Sequence, residues 1–87
     1  SYPFTSPHGL SKDGNLLFIC DAADGLRILD ATDVGNIRLL QHLTGMNAQD
    51  VITQNGKALV VAVGKLVQYD YSDINNVRLL STISAGN

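Results

Sequence analysis

The side chains best placed to do chemistry in this chain are four aspartates. Asp30 and Asp33 stand three residues apart, and Asp70 and Asp73 repeat them at an offset of 40 residues. Closely spaced carboxylates could serve calcium, which takes about six to eight oxygen ligands. The Asp-x-x-Asp spacing lacks the dense series of oxygen donors that such a loop supplies. The expected role of Asp30, Asp33, Asp70 and Asp73 is therefore structural, each accepting backbone N–H bonds to hold an Asx-type turn.

His8 and Asp50 hold matching places at the start of two similar runs. If those runs line a common channel, both side chains could face an axial ligand pocket; the plainer alternative is a hydrogen bond to neighbouring backbone. His42 lies 34 residues from His8, which is no zinc-ligand spacing. Cys20 is the only cysteine, so the chain forms no internal disulfide and no thiolate cluster. Within Leu16-Leu-Phe-Ile-Cys20 it reads as a small buried hydrophobe. Arg38 and Arg78 repeat on what should be an outer strand, where charge discourages edge-to-edge pairing. The serines occupy no Gly-x-Ser-x-Gly setting, and nothing resembles a phosphate-cradling loop. No catalytic constellation, no metal site and no cofactor is expected.

These residues must be positioned by short strands. Asp30-Ala-Thr-Asp-Val-Gly-Asn-Ile-Arg-Leu-Leu40 recurs as Asp70-Tyr-Ser-Asp-Ile-Asn-Asn-Val-Arg-Leu-Leu80 without insertion. A period near forty between strand-like runs signals a repeat architecture. In the first copy the expected strands are His8–Lys12, Asn15–Cys20, Leu26–Leu29 and Ile37–Leu43. Asp13-Gly14 between the first two reads as a type I′ hairpin turn. In the second they are Asp50–Gln54, Lys57–Ala62, Leu66–Tyr69 and Val77–Ile83, with Asn55-Gly56 at the hairpin. The hairpin glycines are 42 apart against 40 for the later motif, which predicts a loop two residues shorter between second and third strands of the second copy. No segment has a convincing helical period; Val34 to Gln41 is interrupted by Gly35 and dominated by turn and β-branched residues. Tyr69 and Tyr71, two apart, share a face if their strand continues, and Tyr69 should pack between sheets.

The fold class is accordingly all-β, two four-stranded antiparallel meanders. The organisation is a lead-in at residues 1–7 carrying Pro3 and Pro7, a first repeat at 8–45 and a second at 46–87. Leu16-Leu-Phe-Ile and Leu59-Val-Val-Ala are continuous apolar runs, as in strands covered on both faces. That needs sheets stacked face to face, as in a propeller.

Composition limits the function classes. Hydrophobic residues make up 45%, enough for a packed core. Six basic and eight acidic residues give a formal charge of −2 with no basic face, which argues against nucleic-acid partners. The longest apolar run, Ala58 to Val63, is far too short to span a bilayer.

Gly25-Leu-Arg-Ile-Leu-Asp30 followed by Ala-Thr-Asp33 resembles the core of the LVIVD repeat, and Lys65-Leu-Val-Gln-Tyr-Asp70 followed by Tyr-Ser-Asp73 is similar at the same positions. WD-type repeats are set aside by the absence of Trp. The resemblance covers nearly all of residues 8–84. It implies a β-propeller in which each repeat supplies one four-stranded blade, in an exported bacterial periplasmic or surface protein, often a lipoprotein. The chain departs from that pattern in lacking loop prolines around Val34 and Ile37 and around Ile74 and Val77.

Two blades do not close a ring that usually needs four to eight. The expected partners are the remaining blades, in the same chain or in other copies, and the expectation favours a segment of a longer protein. The expected function is a non-catalytic propeller scaffold whose loops or channel mouth bind a protein or ligand. Two alternatives stay open. One is a small two-blade subunit of an oligomeric carbohydrate-binding propeller, which 3 Tyr, 2 Phe and no Trp make less apt for stacking on sugars. The other is a piece of a propeller enzyme contributing His8 or Asp50 at the channel mouth.

Overall fold

The computed structural model of the chain describes residues 9–84. It is all-β: β1 (Leu10–Asp13), β2 (Leu16–Cys20), β3 (Leu26–Asp30) and β4 (Arg38–Leu43) form one four-stranded sheet. β5 (Ala48–Gln54), β6 (Lys57–Ala62), β7 (Lys65–Asp70) and β8 (Arg78–Ser84) form a second. Each sheet runs in sequence order, every neighbouring pair antiparallel, so each repeat is one blade-like meander. The lead-in and His8 lie outside the described residues. Val34 to Gln41 holds no helix; it is the end of the β3–β4 loop followed by the start of β4.

The hairpins explain how the repeats align. Strand pairing puts Gly14 and Asn15 between Asp13 and Leu16, and Asn55 and Gly56 between Gln54 and Lys57. The central pair of the first turn is thus Gly14-Asn15 and not Asp13-Gly14. Gly14 alone has positive φ there, +59°, the signature of a type II′ turn, whereas Asn55 (+53°) and Gly56 (+77°) both do, as type I′ requires. One glycine sits first in its turn and the other second, so structural counterparts across the hairpin are 41 apart. The pair Cys20↔Leu26 answers to Val61↔Leu66, and the loop between second and third strands is one residue shorter in the second repeat, not two. From β3 onward the offset is 40. Both repeats also carry a bulge in the fourth strand, at Leu40 and Leu80.

The two sheets pack face to face, meeting along β1, β2 and β5. Alternation along each strand sends Phe18, Cys20, Leu26 and Ile28 from the first sheet into a shared core with Val51, Ala58, Val60, Ala62 and Val67 from the second. Phe18, Leu26 and Ile28 are fully enclosed, each worth about 1.5–3 kcal/mol relative to exposure. The connector closes the seam: Ala22, after β2, forms an isolated bridge with Ala48, whose N–H donates to the Ala22 carbonyl at 2.9 Å. Gly25 keeps a φ of +84° beside that bridge, where a Cβ would fall 2.1 Å from the Leu43 carbonyl oxygen.

The reverse faces differ. On the first sheet Ile19 and Leu29 point away from the second sheet yet are only 6% and 1% exposed. On the second sheet the reverse face carries Ile52, Leu59, Val61, Leu66 and Ile83, of which Ile52 and Ile83 are more than half exposed.

Candidate functional site

The acidic loops after β3 and β7 repeat the same side-chain arrangement. Asp30 ends β3 with its Oδ1 accepting from the Thr32 N–H at 2.9 Å and from the Thr32 hydroxyl at 2.6 Å. Its Oδ2 accepts from Arg38 at 3.1 Å. Asp70 accepts from the Ser72 N–H and hydroxyl at 2.9 and 2.7 Å, with Arg78 3.7 Å from its other oxygen. Asp33 and Asp73 accept from the N–H groups of Gly35 and Asn75 at 3.0 and 3.1 Å. All four carboxylates are thus committed to bonds within their own loops. The Thr32 hydroxyl, then its N–H, then Arg38 hold the Asp30 carboxyl down at about 2. The Ser72 hydroxyl and N–H lower Asp70 in the same way, assisted by Arg78 and Lys57. Arg38 and Arg78 are directly opposite Asp30 and Asp70 in the β3–β4 and β7–β8 ladders. They remain exposed on the edge strands while each pairs with its loop carboxylate.

Asp50 lies in β5, exposed, just past a register shift that leaves Gln49 unpaired. Its carboxylate accepts from the Val51 N–H at 2.8 Å. Gly9 packs directly on its backbone: a Cβ at Gly9 would come within 2.6 Å of the Asp50 Cα. The first strands of the two repeats therefore approach closely at this end, where Ser11 and Thr53 also join hydroxyls at 2.7 Å. Asp50 raises the pKa of nearby Cys20, second to burial, which together push the thiol up to about 11. Cys20 is wholly enclosed. His8, the other channel-facing candidate, lies outside the described residues. His42 bonds through Nε2 to the Asp24 carbonyl. Among the described residues no three His, Cys, Asp or Glu side chains gather closely enough to hold a metal ion. Nor is any helix there long and apolar enough to cross a membrane.

Two arrangements had no signal in residue spacing. Asp21, fully buried after β2, is held by the Arg27 guanidinium from β3. Pairing and the donors of a guanidinium are what make such a buried carboxylate tolerable. The second joins the sheets. Tyr71, one residue past β7 and only 4% exposed, lays its ring against Phe18, with centroids 4.7 Å apart and planes tilted by 58°. Its hydroxyl donates to Asp13 Oδ2 at 2.6 Å. Burial, then the Asp13 bond and charge, push the phenol up to about 12. Tyr69 lies partly buried against the same core and reaches Met46 Sδ at 3.8 Å.

On the reverse face of the second sheet a cavity of about 360 Å³ opens between Ile52, Gln54, Asn55, Lys57, Leu59 and Gln68. It combines an apolar floor with amide and ammonium groups at its rim, a composition suited to an amphipathic group. No protein-family model matches the chain, and the comparisons with curated proteins and with solved structures find no similar protein.

Proposed function

We propose that this chain is a non-catalytic β-propeller scaffold segment, whose two blades stack with further blades and whose loops bind a protein or ligand at the surface of an exported protein. The observation that supports it is the pair of consecutive four-stranded meanders stacked face to face with their first strands in closest approach. Such stacking is how propellers accumulate blades. The commitment of the loop aspartates to their own backbone supports a structural role for these loops rather than a catalytic one. The likeness to LVIVD repeats supports placement outside the cytoplasm.

Sedimentation equilibrium of the 87-residue chain over a wide concentration range tests the segment reading. The expected result is a monomer or an open-ended association, because blades that belong with further repeats do not close a ring by themselves. A single closed oligomer of fixed stoichiometry would defeat it and make the chain a complete subunit of a ring of copies.

A further inference from the structure

The internal repeat supplies a template for the cavity on the second sheet. Counterparts are 41 apart in the first two strands and 40 apart in the third, so Ile52, Gln54, Leu59 and Gln68 stand where Ser11, Asp13, Phe18 and Ile28 stand in the first sheet. The remaining lining residues, Asn55 and Lys57, answer to Gly14 and Leu16. In the first sheet that site is filled. Tyr71 of the second repeat lies on Phe18 and bonds Asp13, with Thr53 alongside on Ser11. Backbone bonds corroborate the equivalence: Tyr71 N–H donates to the Gly56 carbonyl at 2.8 Å, as Ala31 N–H does to its counterpart, the Asn15 carbonyl.

We propose that the cavity bounded by Ile52, Gln54, Lys57, Leu59 and Gln68 is the socket for an aromatic side chain of a third blade of the same repeat, contributed by the residue that follows that blade's third-strand aspartate. This rests on the blade reading above and adds the partner's chemistry. Leu59 replaces Phe18 as the floor under the ring. Gln54 replaces Asp13 and offers an amide oxygen to a phenolic hydroxyl. Lys57, in place of Leu16, brings an ammonium to the rim, where it can lie over the ring face. The two repeats present differ at the inserting position: Tyr71 fills a socket, and its counterpart Ala31 is too small to. The third blade therefore belongs to the Tyr71 type. The open face is also unlike the reverse face of the first sheet, where Ile19 and Leu29 are already buried.

The test extends the chain. Asn87 is the counterpart of Asn47 at the 40-residue offset, so a second copy of residues 48–87 placed directly after Asn87 continues the repeat in register. Nuclear Overhauser contacts from the added tyrosine ring to the Ile52 and Leu59 methyl groups are expected. Replacing that added tyrosine by alanine should abolish those contacts and lower the urea midpoint of the extended chain. An added repeat that folds on this face with its ring elsewhere overturns the socket and leaves the blade reading standing. An added repeat that stays unfolded beside a folded parent counts against both. In the unextended chain, a concentration-dependent dimer that protects Ile52 and Leu59 would assign the face to a second copy and overturn the proposal.

Discussion

Replacing Tyr71 should show how firmly the two sheets are joined. Tyr71→Ala removes a ring that is 4% exposed and stacked at a tilt on Phe18. Truncating a buried aromatic costs about 3–5 kcal/mol, of which the aromatic pair itself supplies about 0.5–1.5. Tyr71→Phe keeps the ring and deletes only the bond to Asp13. Asp13 is exposed, so its carboxylate regains water when the hydroxyl goes. The loss should then be about 1 kcal/mol, below the roughly 1.5–3 typical of charged acceptors. Urea unfolding at pH 7 with an unchanged m-value reads both numbers, and the cycle with Asp13→Ala isolates the pair. The phenol adds a pH signature. Its folded pKa of about 12 lies above the ordinary 10.0, so its contribution is complete below pH 10 and is lost as pH rises towards 12. Phe does not titrate, so the advantage of Tyr over Phe at this position should disappear across that window. If Tyr71→Phe matches the parent within experimental error and Tyr71→Ala costs less than about 1 kcal/mol, the ring does not lock the sheets together and the packing argument fails.

Three further outcomes follow from named contacts. Gly25→Ala forces a Cβ against the Leu43 carbonyl at positive φ and should cost about 2 kcal/mol or more, whereas Gly45→Ala, at φ +86° with open space around it, should cost only about 1; equal unfolding midpoints for the two would refute the close approach. Cys20 should react with a thiol reagent at pH 8 on the order of 100-fold slower in the folded chain than in urea, since burial and then Asp50 raise its pKa from 9.0 to about 11 and the thiolate is the reactive form; equal rates would show an open site. The Asp30 carboxyl, followed by NMR, should titrate near 2 against the ordinary 3.8. Its stabilising effect is then present above about pH 4 and lost as pH falls towards 2. Thr32→Ala should raise that midpoint, and a titration already at 3.8 in the parent would deny the loop hydrogen bonds.

The all-β class and the strand order were legible because two short-range signals agreed. Turn residues recur between apolar runs of five or six, and the same series returns 40 residues later. Strand ends were legible only to within one or two residues. Ala48 begins β5 two residues ahead of Asp50 because it pairs with Ala62 beyond a register shift, and it also bridges to Ala22 of the connector; neither contact is visible in the local pattern. The apolar runs predicted cover on both faces of β2 and β6; β2 has it, with Phe18 and Ile19 buried on opposite faces, whereas on the reverse face of β6 Leu59 and Val61 are only half-buried. The Arg27–Asp21 pair depends on how the β2–β3 loop folds back over its own strands, and no spacing rule selects it.

The cavity was illegible for a sharper reason, and it comes down to one residue of register. Aligning Gly14 with Gly56 sets Phe18 against Val60, and both of these point into the shared core. Strand pairing instead sets Phe18 against Leu59, which lies on the reverse face. Side chains alternate across a strand, so a slip of one exchanges every inward residue for an outward one. The glycine alignment would have the two sheets present the same face to one another, as in a closed two-sheet sandwich with its apolar surface spent. Under the true register the first sheet offers its back to the front of the second, and the second carries an equivalent back, with Ile52, Leu59 and Ile83. The same packing step can then be repeated from one sheet to the next. A sandwich spends both inner faces, whereas this head-to-tail pair leaves the back of its second sheet, with Ile52 and Ile83 more than half exposed, available for the same contact.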